Sequence, residues 1–145
     1  MAIMNQPALG RVFMGRLPKD GDLLQELTNV CASQGVTQGQ VSAIGAVTRA
    51  RVGYYNLGER KYEYLDKAEH LEILSLMGNV SILDGKAMVH AHVILGDRQG
   101  GTFGGHLAEG CPVFACEYIL QEFTTSTPLV RGDDEPTGLK LWVEK

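Results

Sequence analysis

The sequence predicts an α+β fold, a mixed, largely antiparallel and curled β-sheet with one main helix at about residues 22–34. Only one stretch of the 145 residues has apolar residues at helical spacing, whereas at least seven short stretches have strand patterns. The 18 glycines exceed the usual share of about 7% and indicate many tight turns. The length predicts a single domain over residues 1–145, with its core at about 10–125 and a tail at 126–145.

The first predicted elements are a strand and the helix. Residues 11–17 have a strand pattern that ends at Pro18. Asp22 is the expected N-cap of the helix, and Gly35 is the expected end, because glycine readily adopts the left-handed conformation that follows a last turn. Between these two residues the apolar positions recur at helical spacing: Leu23, Leu24, Leu27, Val30 and Cys31.

Beyond the helix the apolar pattern becomes that of β-strands. The predicted strands are 40–47, 50–55, 62–65 (an edge strand), 69–80, 86–95 and 113–123. Turn signals separate several of them, among them Asp84-Gly85 and Gly96-Asp97. In the tail, we interpret residues 132–138 as a polar connector that leads to a last short strand at 139–143.

The charge balance argues against nucleic-acid binding. With 13 basic and 17 acidic residues the net charge is -4, whereas DNA binding draws most of its affinity from phosphate neutralisation by lysine and arginine. Arg49, Arg51, Arg60 and Lys61 form the candidate basic patch. The alternative interpretation is a solvated strand face.

The sequence favours a cytoplasmic protein with no membrane partner. The N-terminus lacks a basic region followed by an apolar run, and no stretch reaches the roughly 18 apolar residues of a membrane span. Cys31, Cys111 and Cys116 are odd in number and irregularly spaced. We therefore predict neither a disulfide framework nor a cysteine-based zinc ribbon.

Two histidines share one face of a predicted strand. Alternate strand residues point to opposite sides, so His90 and His92 project together, roughly 7 Å apart along the strand. The opposite face is wholly apolar and is expected to lie on the core: Val89, Ala91, Val93 and Leu95. Two histidines in this arrangement can share one metal ion.

A third histidine, His106, follows Gly104 and Gly105, which permit close backbone approach. Three neutral imidazoles with an open coordination position are typical of catalytic zinc sites. His90, His92 and His106 are therefore the candidate metal ligands, with zinc preferred and iron, nickel or manganese as alternatives. The competing interpretation is that the three histidines are packing residues. His70 has no partner pattern and is not included.

Two carboxylates interrupt apolar segments. Glu117 lies in a segment that is otherwise apolar on both faces, and Glu72 interrupts another. Because an unpaired buried carboxylate is costly, Glu117 is the candidate catalytic residue, as a proton carrier or as a group that orients a ligand histidine. The alternative for both is an ion pair, for example with Arg49, or a place at a subunit interface.

An ordered set of motifs resembles the plant and prokaryote conserved (PPC) domain. The motifs are I-G-A-V at 44–47, G-Y-Y at 53–55, L-E-I-L-S-L-x-G-N at 71–79, V-H-A-H at 89–92 and G-G-H-L at 104–107. The resemblance implies a stand-alone protein that forms a homotrimer built on mixed sheets. The implied fold is similar to that of acetolactate decarboxylase, an enzyme whose metal is held by three histidines.

The sequence departs from the plant members of this family in two ways. It has no R-G-R-P AT-hook, the DNA-binding element of the plant proteins. The plant G-R-F-E-I-L-S-L segment appears as residues 69–76 without its Gly-Arg.

The leading hypothesis is a homotrimer with one three-histidine metal site per subunit that binds or acts on a small metabolite. The alternatives are a DNA-binding regulatory module and a purely structural oligomerisation domain. The sequence itself assigns no reaction.

Overall fold

The computed structural model describes residues 2–144. In this range the chain forms one helix and ten strands. The elements are β1 Ala8–Arg16, α1 Leu23–Gln34, β2 Gly39–Val47, β3 Ala50–Asn56, β4 Lys61–Lys67, β5 Leu71–Leu83, β6 Lys86–Gly96, β7 Thr102–Leu107, β8 Val113–Thr124, β9 Val130–Asp134 and β10 Leu139–Val143. One helix beside so much strand confirms the α+β prediction.

All ten strands belong to one sheet. Eight of them follow the order β1-β8-β2-β5-β6-β7-β3-β4, while β9 joins β5 and β10 joins β9. The pairs are antiparallel, except that β5 and β9 meet through a parallel bridge between Ile82 and Val130. The prediction of a mixed, largely antiparallel sheet is therefore confirmed. β4 ends the row of strands, as expected for an edge strand.

The helix has the predicted ends. Asp22 is its N-cap, and one oxygen, Oδ1, accepts a hydrogen bond from the Gln25 backbone N–H at 3.0 Å. The other oxygen, Oδ2, accepts from the backbone N–H groups of Gly110 at 2.7 Å and Cys111 at 3.1 Å. Gly35 follows the helix with a φ of 66°. One carboxylate thus caps the helix and fixes the loop before β8.

The helix covers only one of the two faces of the sheet. The helix contributes Leu23, Leu27 and Cys31 to the buried core on one face. On the other face large apolar side chains are exposed. We call this surface the open sheet face, and it comprises Met14, Ile44, Leu74, Met77, Ile94 and Ile119. Paired residues of adjacent strands share a face, and the row Met14–Ile119–Ser42–Met77–His92 crosses five strands of this surface.

Two strands, β7 and β9, were not predicted. β7 contains Gly104 and Gly105, residues with low strand propensity, yet it pairs with β6 and β3 on its two sides. The tail interpretation was partly wrong. Residues 132–138 include the end of β9 and the turn of a hairpin with β10, whereas the last strand at 139–143 is confirmed. Among residues 2–144, no helix has both the length and the apolar character needed to cross a membrane.

Candidate metal centre

β6 places His90 and His92 on the open sheet face. The alternate residues Val89, Ala91 and Val93 are buried in the core, as predicted. His90 lies opposite Asn79 of β5, and His92 lies opposite Met77. The two histidines are therefore on the side of the sheet that the helix does not cover.

β7 brings His106 to the same place, directly opposite His92 in the β6–β7 ladder. The two glycines before it are required by close packing between strands. A Cβ on Gly104 would lie 2.3 Å from the carbonyl oxygen of Val93, and one on Gly105 would lie 2.6 Å from that of Gly53. Neither distance leaves room for a side chain. The glycines thus allow β7 to fit tightly between its neighbours and fix the position of His106.

The three imidazoles converge. One ring nitrogen from each of His90, His92 and His106 lies within 4.8 Å of the other two. The ring centroids are 5.0 to 5.7 Å apart. His106 Nδ1 is buried and has no hydrogen-bond partner within residues 2–144, although buried polar atoms are normally paired. Convergent imidazoles with an orphaned nitrogen fit a borderline divalent metal such as zinc.

The protonation state of His90 and His106 also favours metal binding. Burial, together with the neighbouring charges of His106, Arg131 and His92, lowers the pKa of His90 to about 4. Burial likewise lowers the pKa of His106, with contributions from His92 and Arg131. Both rings are therefore neutral at neutral pH, the state in which imidazole binds a metal.

Three residues that sequence reasoning missed surround the cluster. The Tyr62 ring lies 4.7 Å from the His106 ring, centroid to centroid. Arg131 Nη2 lies 3.5 Å from His90 Nδ1 and 2.8 Å from Asn79 Oδ1, to which it donates a hydrogen bond. The alternation in residues 139–143 already predicted a strand. A hairpin partner for that strand, before the turn, would have included Arg131.

Glu117 is not part of the cluster within one chain. Its side chain is exposed, so the expectation that it is buried was wrong. Glu117 lies on β8, which is three strand positions from β6 in the sheet, a separation of roughly 14 Å. The second carboxylate, Glu72, is also exposed, and its Oε1 lies 3.2 Å from His70 Nε2 rather than beside an arginine.

The charge of the candidate basic patch is partly offset by two carboxylates. Arg49 and Arg51 both lie near Asp66, at 3.6 and 3.8 Å. Lys61 pairs with Glu59 at 2.5 Å. Asp66 and Glu59 therefore reduce the positive charge that the patch presents.

The three cysteines are free and buried, as the absence of a disulfide pattern predicted. Burial raises the pKa of Cys31 and of Cys116 to about 11. These side chains are therefore neutral thiols packed in the core.

Fold and site together define a class of small α+β domain, with a three-histidine cluster on a sheet face that exposes large apolar side chains. Residues 4–124 match the family model of the Plants and Prokaryotes Conserved (PCC) domain. The chain belongs to this family, which is the PPC family that its motifs resemble.

The chain is similar to two solved structures over nearly its whole length. One is a metal-containing protein of Archaeoglobus fulgidus, 38% identical with a TM-score of 0.93, covering 99% of this chain and 100% of that one. The other is a PPC protein of Pyrococcus horikoshii, 35% identical with a TM-score of 0.92 and 99% coverage of both chains.

The chain is also similar to part of a longer protein. It is 36% identical over 137 residues to a bifunctional protein GlmU of Synechococcus, and the match covers 93% of this chain. The chain spans about a fifth (21%) of that relative's length.

Proposed function

We propose that the protein binds one divalent transition-metal ion, zinc in the first instance, through His90, His92 and His106. The observation that carries the proposal is the convergence of three ring nitrogens within 4.8 Å of one another. Three imidazoles with an open coordination position are the ligand set of catalytic zinc sites. The Archaeoglobus fulgidus relative that contains metal supports the proposal.

The open position gives the site a role beyond structure. An ion held by these histidines would supply Lewis-acid chemistry toward a carbonyl or enolate oxygen of a small metabolite. The surrounding side chains, Tyr62, Asn79 and Arg131, offer a ring face, an amide and a guanidinium to such a molecule. Small keto and hydroxy acids are therefore the substrates or ligands to screen.

The open sheet face supports self-association, and we propose a homotrimer. Its side chains are large and apolar, and Met77 and Ile44 are 57% and 58% exposed. Exposed apolar surface of this kind marks an interaction site. Glu117 lies on the same face but is distant from the histidine cluster of its own chain. Its carboxylate would therefore approach the histidine cluster of a neighbouring subunit. A proton-carrying role for Glu117 therefore depends on the trimer. The buried free thiols fit a reducing, cytoplasmic setting.

Metal content tests the proposal. Protein purified without an affinity tag or chelator is measured by plasma mass spectrometry, and about one transition-metal ion per chain is expected. A variant carrying His90→Ala and His92→Ala should lose the ion while remaining folded. His70→Ala is the matched control, because His70 is exposed and lies outside the cluster. Metal-free protein that also takes up no zinc on titration would overturn the proposal.

A further inference from the structure

The β9–β10 hairpin passes over the three-histidine cluster. Val130, at its start, bridges to β5. At its turn, Tyr55 Oη of β3 donates a hydrogen bond to the Thr137 carbonyl oxygen at 2.7 Å, and Arg60 donates to the Glu135 carbonyl oxygen. Because β6 and β7 lie between β5 and β3 in the sheet, the hairpin spans the two strands that carry the histidines.

Arg131 is the charged residue that the hairpin brings to the cluster. It is only 7% exposed. Its Nε donates to Ser81 Oγ at 2.9 Å, Nη1 to the Lys140 carbonyl oxygen at 3.0 Å and Nη2 to Asn79 Oδ1 at 2.8 Å. The guanidinium carbon lies 5.6 Å from the Trp142 ring centroid. These contacts hold the guanidinium rigidly next to His90.

All the partners of this buried cation are neutral. Within residues 2–144, no carboxylate oxygen lies within 4.0 Å of the Arg131 guanidinium, although six lysine–carboxylate or arginine–carboxylate pairs are formed elsewhere. Arginine remains charged in proteins, and a buried charge without a counter-charge is costly. With a divalent ion on three neutral imidazoles, the site would carry three positive charges, and residues 2–144 of the same chain place no carboxylate against the guanidinium to balance them. An anionic ligand would supply the missing charge.

The guanidinium also has donors to spare. It carries five N–H groups, and three make the hydrogen bonds above. One N–H on Nη1 remains without a partner within residues 2–144, and the second N–H on Nη2 faces His90 Nδ1, which lies 3.5 Å from Nη2. A guanidinium N–H donates a strong, charge-assisted hydrogen bond to a carboxylate oxygen, whereas phosphate sites commonly add backbone N–H groups or further cations.

We infer that Arg131 binds the carboxylate of a small organic acid whose neighbouring carbonyl or hydroxyl oxygen faces the three-histidine cluster. The inference rests on the proposed metal site and names the class of molecule that the site selects. Arg131 would act on the ligand directly, beyond its role in holding the hairpin.

The test uses full-length protein loaded with Co²⁺, whose visible spectrum reports ligands near the metal. Pyruvate and its uncharged analogue pyruvamide are titrated into wild-type protein and into Arg131→Met, which keeps the bulk and removes the charge. Wild type should bind pyruvate about tenfold or more tightly than pyruvamide, because charged hydrogen bonds are the strong ones. Arg131→Met should bind both molecules equally weakly while retaining Co²⁺.

Two further variants separate ligand binding from folding. Arg60→Met removes the other arginine contact to the hairpin and should bind pyruvate as wild type does. If Arg131→Met does not fold, Arg131→Lys takes its place. It keeps the positive charge but not the forked guanidinium, and it should bind pyruvate more weakly than wild type does.

The possible failures are distinguishable. Unchanged pyruvate affinity in a folded, Co²⁺-loaded Arg131 variant overturns the carboxylate site and leaves the metal site intact. Tight binding of inorganic phosphate with no binding of pyruvate overturns the assignment to carboxylates. Failure of the wild-type protein to take up Co²⁺ overturns the proposed function, and this inference with it.

Discussion

His92 and His106 lie directly opposite each other in the β6–β7 ladder, with ring centroids 5.7 Å apart. The spacing of these two candidate ligands is therefore set by strand register rather than by a flexible loop. A slip of one residue would turn His106 to the other face of the sheet. His90, two residues along β6, completes the cluster without any further requirement on the backbone.

Gly104→Ala should disturb both stability and the metal site. The added Cβ would lie 2.3 Å from the Val93 carbonyl oxygen, so β7 would have to move away from β6. We expect a loss of about 1–3 kcal/mol in the free energy of unfolding, measured with urea, and less metal per chain. Gly58→Ala is the control, since its nearest atom is Asn56 Oδ1 at 3.5 Å. Equal metal content in the two variants would contradict the role given to the glycines.

The metal-free protein should lose stability as the pH falls from about 6.5 toward 4. The pKa of His90 is about 4 in the folded chain, against an ordinary value of 6.5. In that window the unfolded chain binds a proton that the folded chain does not. The free energy of unfolding therefore decreases as the pH decreases. Thermal unfolding in the presence of a chelator measures this. His90→Asn should weaken the dependence and His70→Asn should not; the same profile for all three proteins would refute the assignment.

A separate acid transition is expected at lower pH. Hydrogen bonds from Arg11 hold the pKa of Glu122 at about 2, below its ordinary 4.5. Its contribution is therefore present above about pH 4.5 and is lost as the pH falls toward 2. Because the pair is exposed, the effect should be small. Acid titration of Glu122→Gln beside wild type checks it: wild type should be slightly more stable above about pH 4.5, and the difference should shrink as the pH falls toward 2.

A charge on the open sheet face should reduce the proposed homotrimer to smaller species. Met77 lies in the middle of that face and is 57% exposed. Met77→Glu would place a carboxylate in an apolar interface, where burial is costly. Sedimentation or light scattering gives the mass. Leu57→Glu is the matched control, because Leu57 is 81% exposed and is not among the residues of that face. An unchanged mass for Met77→Glu would place the interface elsewhere.

The isolated chain should not bind duplex DNA detectably at about 0.15 M salt. Its net charge is -4, and Asp66 lies beside both Arg49 and Arg51. Fluorescence anisotropy of a labelled duplex is the measurement. Saturable binding that weakens steeply with salt would instead support the DNA-binding alternative.

Local patterns were enough to predict most of the fold. The cap at Asp22 and the stop at Gly35 bound the helix in the sequence as they do in the structure. β9 was missed because Gly132, Asp133 and Asp134 have low strand propensity. Those residues are strand only because β10 returns to pair with them.

The part of the candidate site that depends on local sequence pattern was also predicted. His90 and His92 are two residues apart on one strand, so their common face follows from alternation alone. Arg131 is 41 residues from His90, and no local signal joins them. Glu117 was misjudged because a segment apolar on both sides suggested burial on both sides. One of those sides is the open sheet face, where apolar residues are exposed.

The hairpin that carries Arg131 follows the segment that defines the family. The three histidines fall within the matched residues 4–124, whereas Arg131 lies beyond them. In the proposed site, the ion and the charge of the ligand would thus be bound by separable stretches of the chain. A few substitutions near the C-terminus can change chemical selectivity while the ion-binding scaffold is inherited intact, so one scaffold can diversify into proteins with different small-molecule preferences.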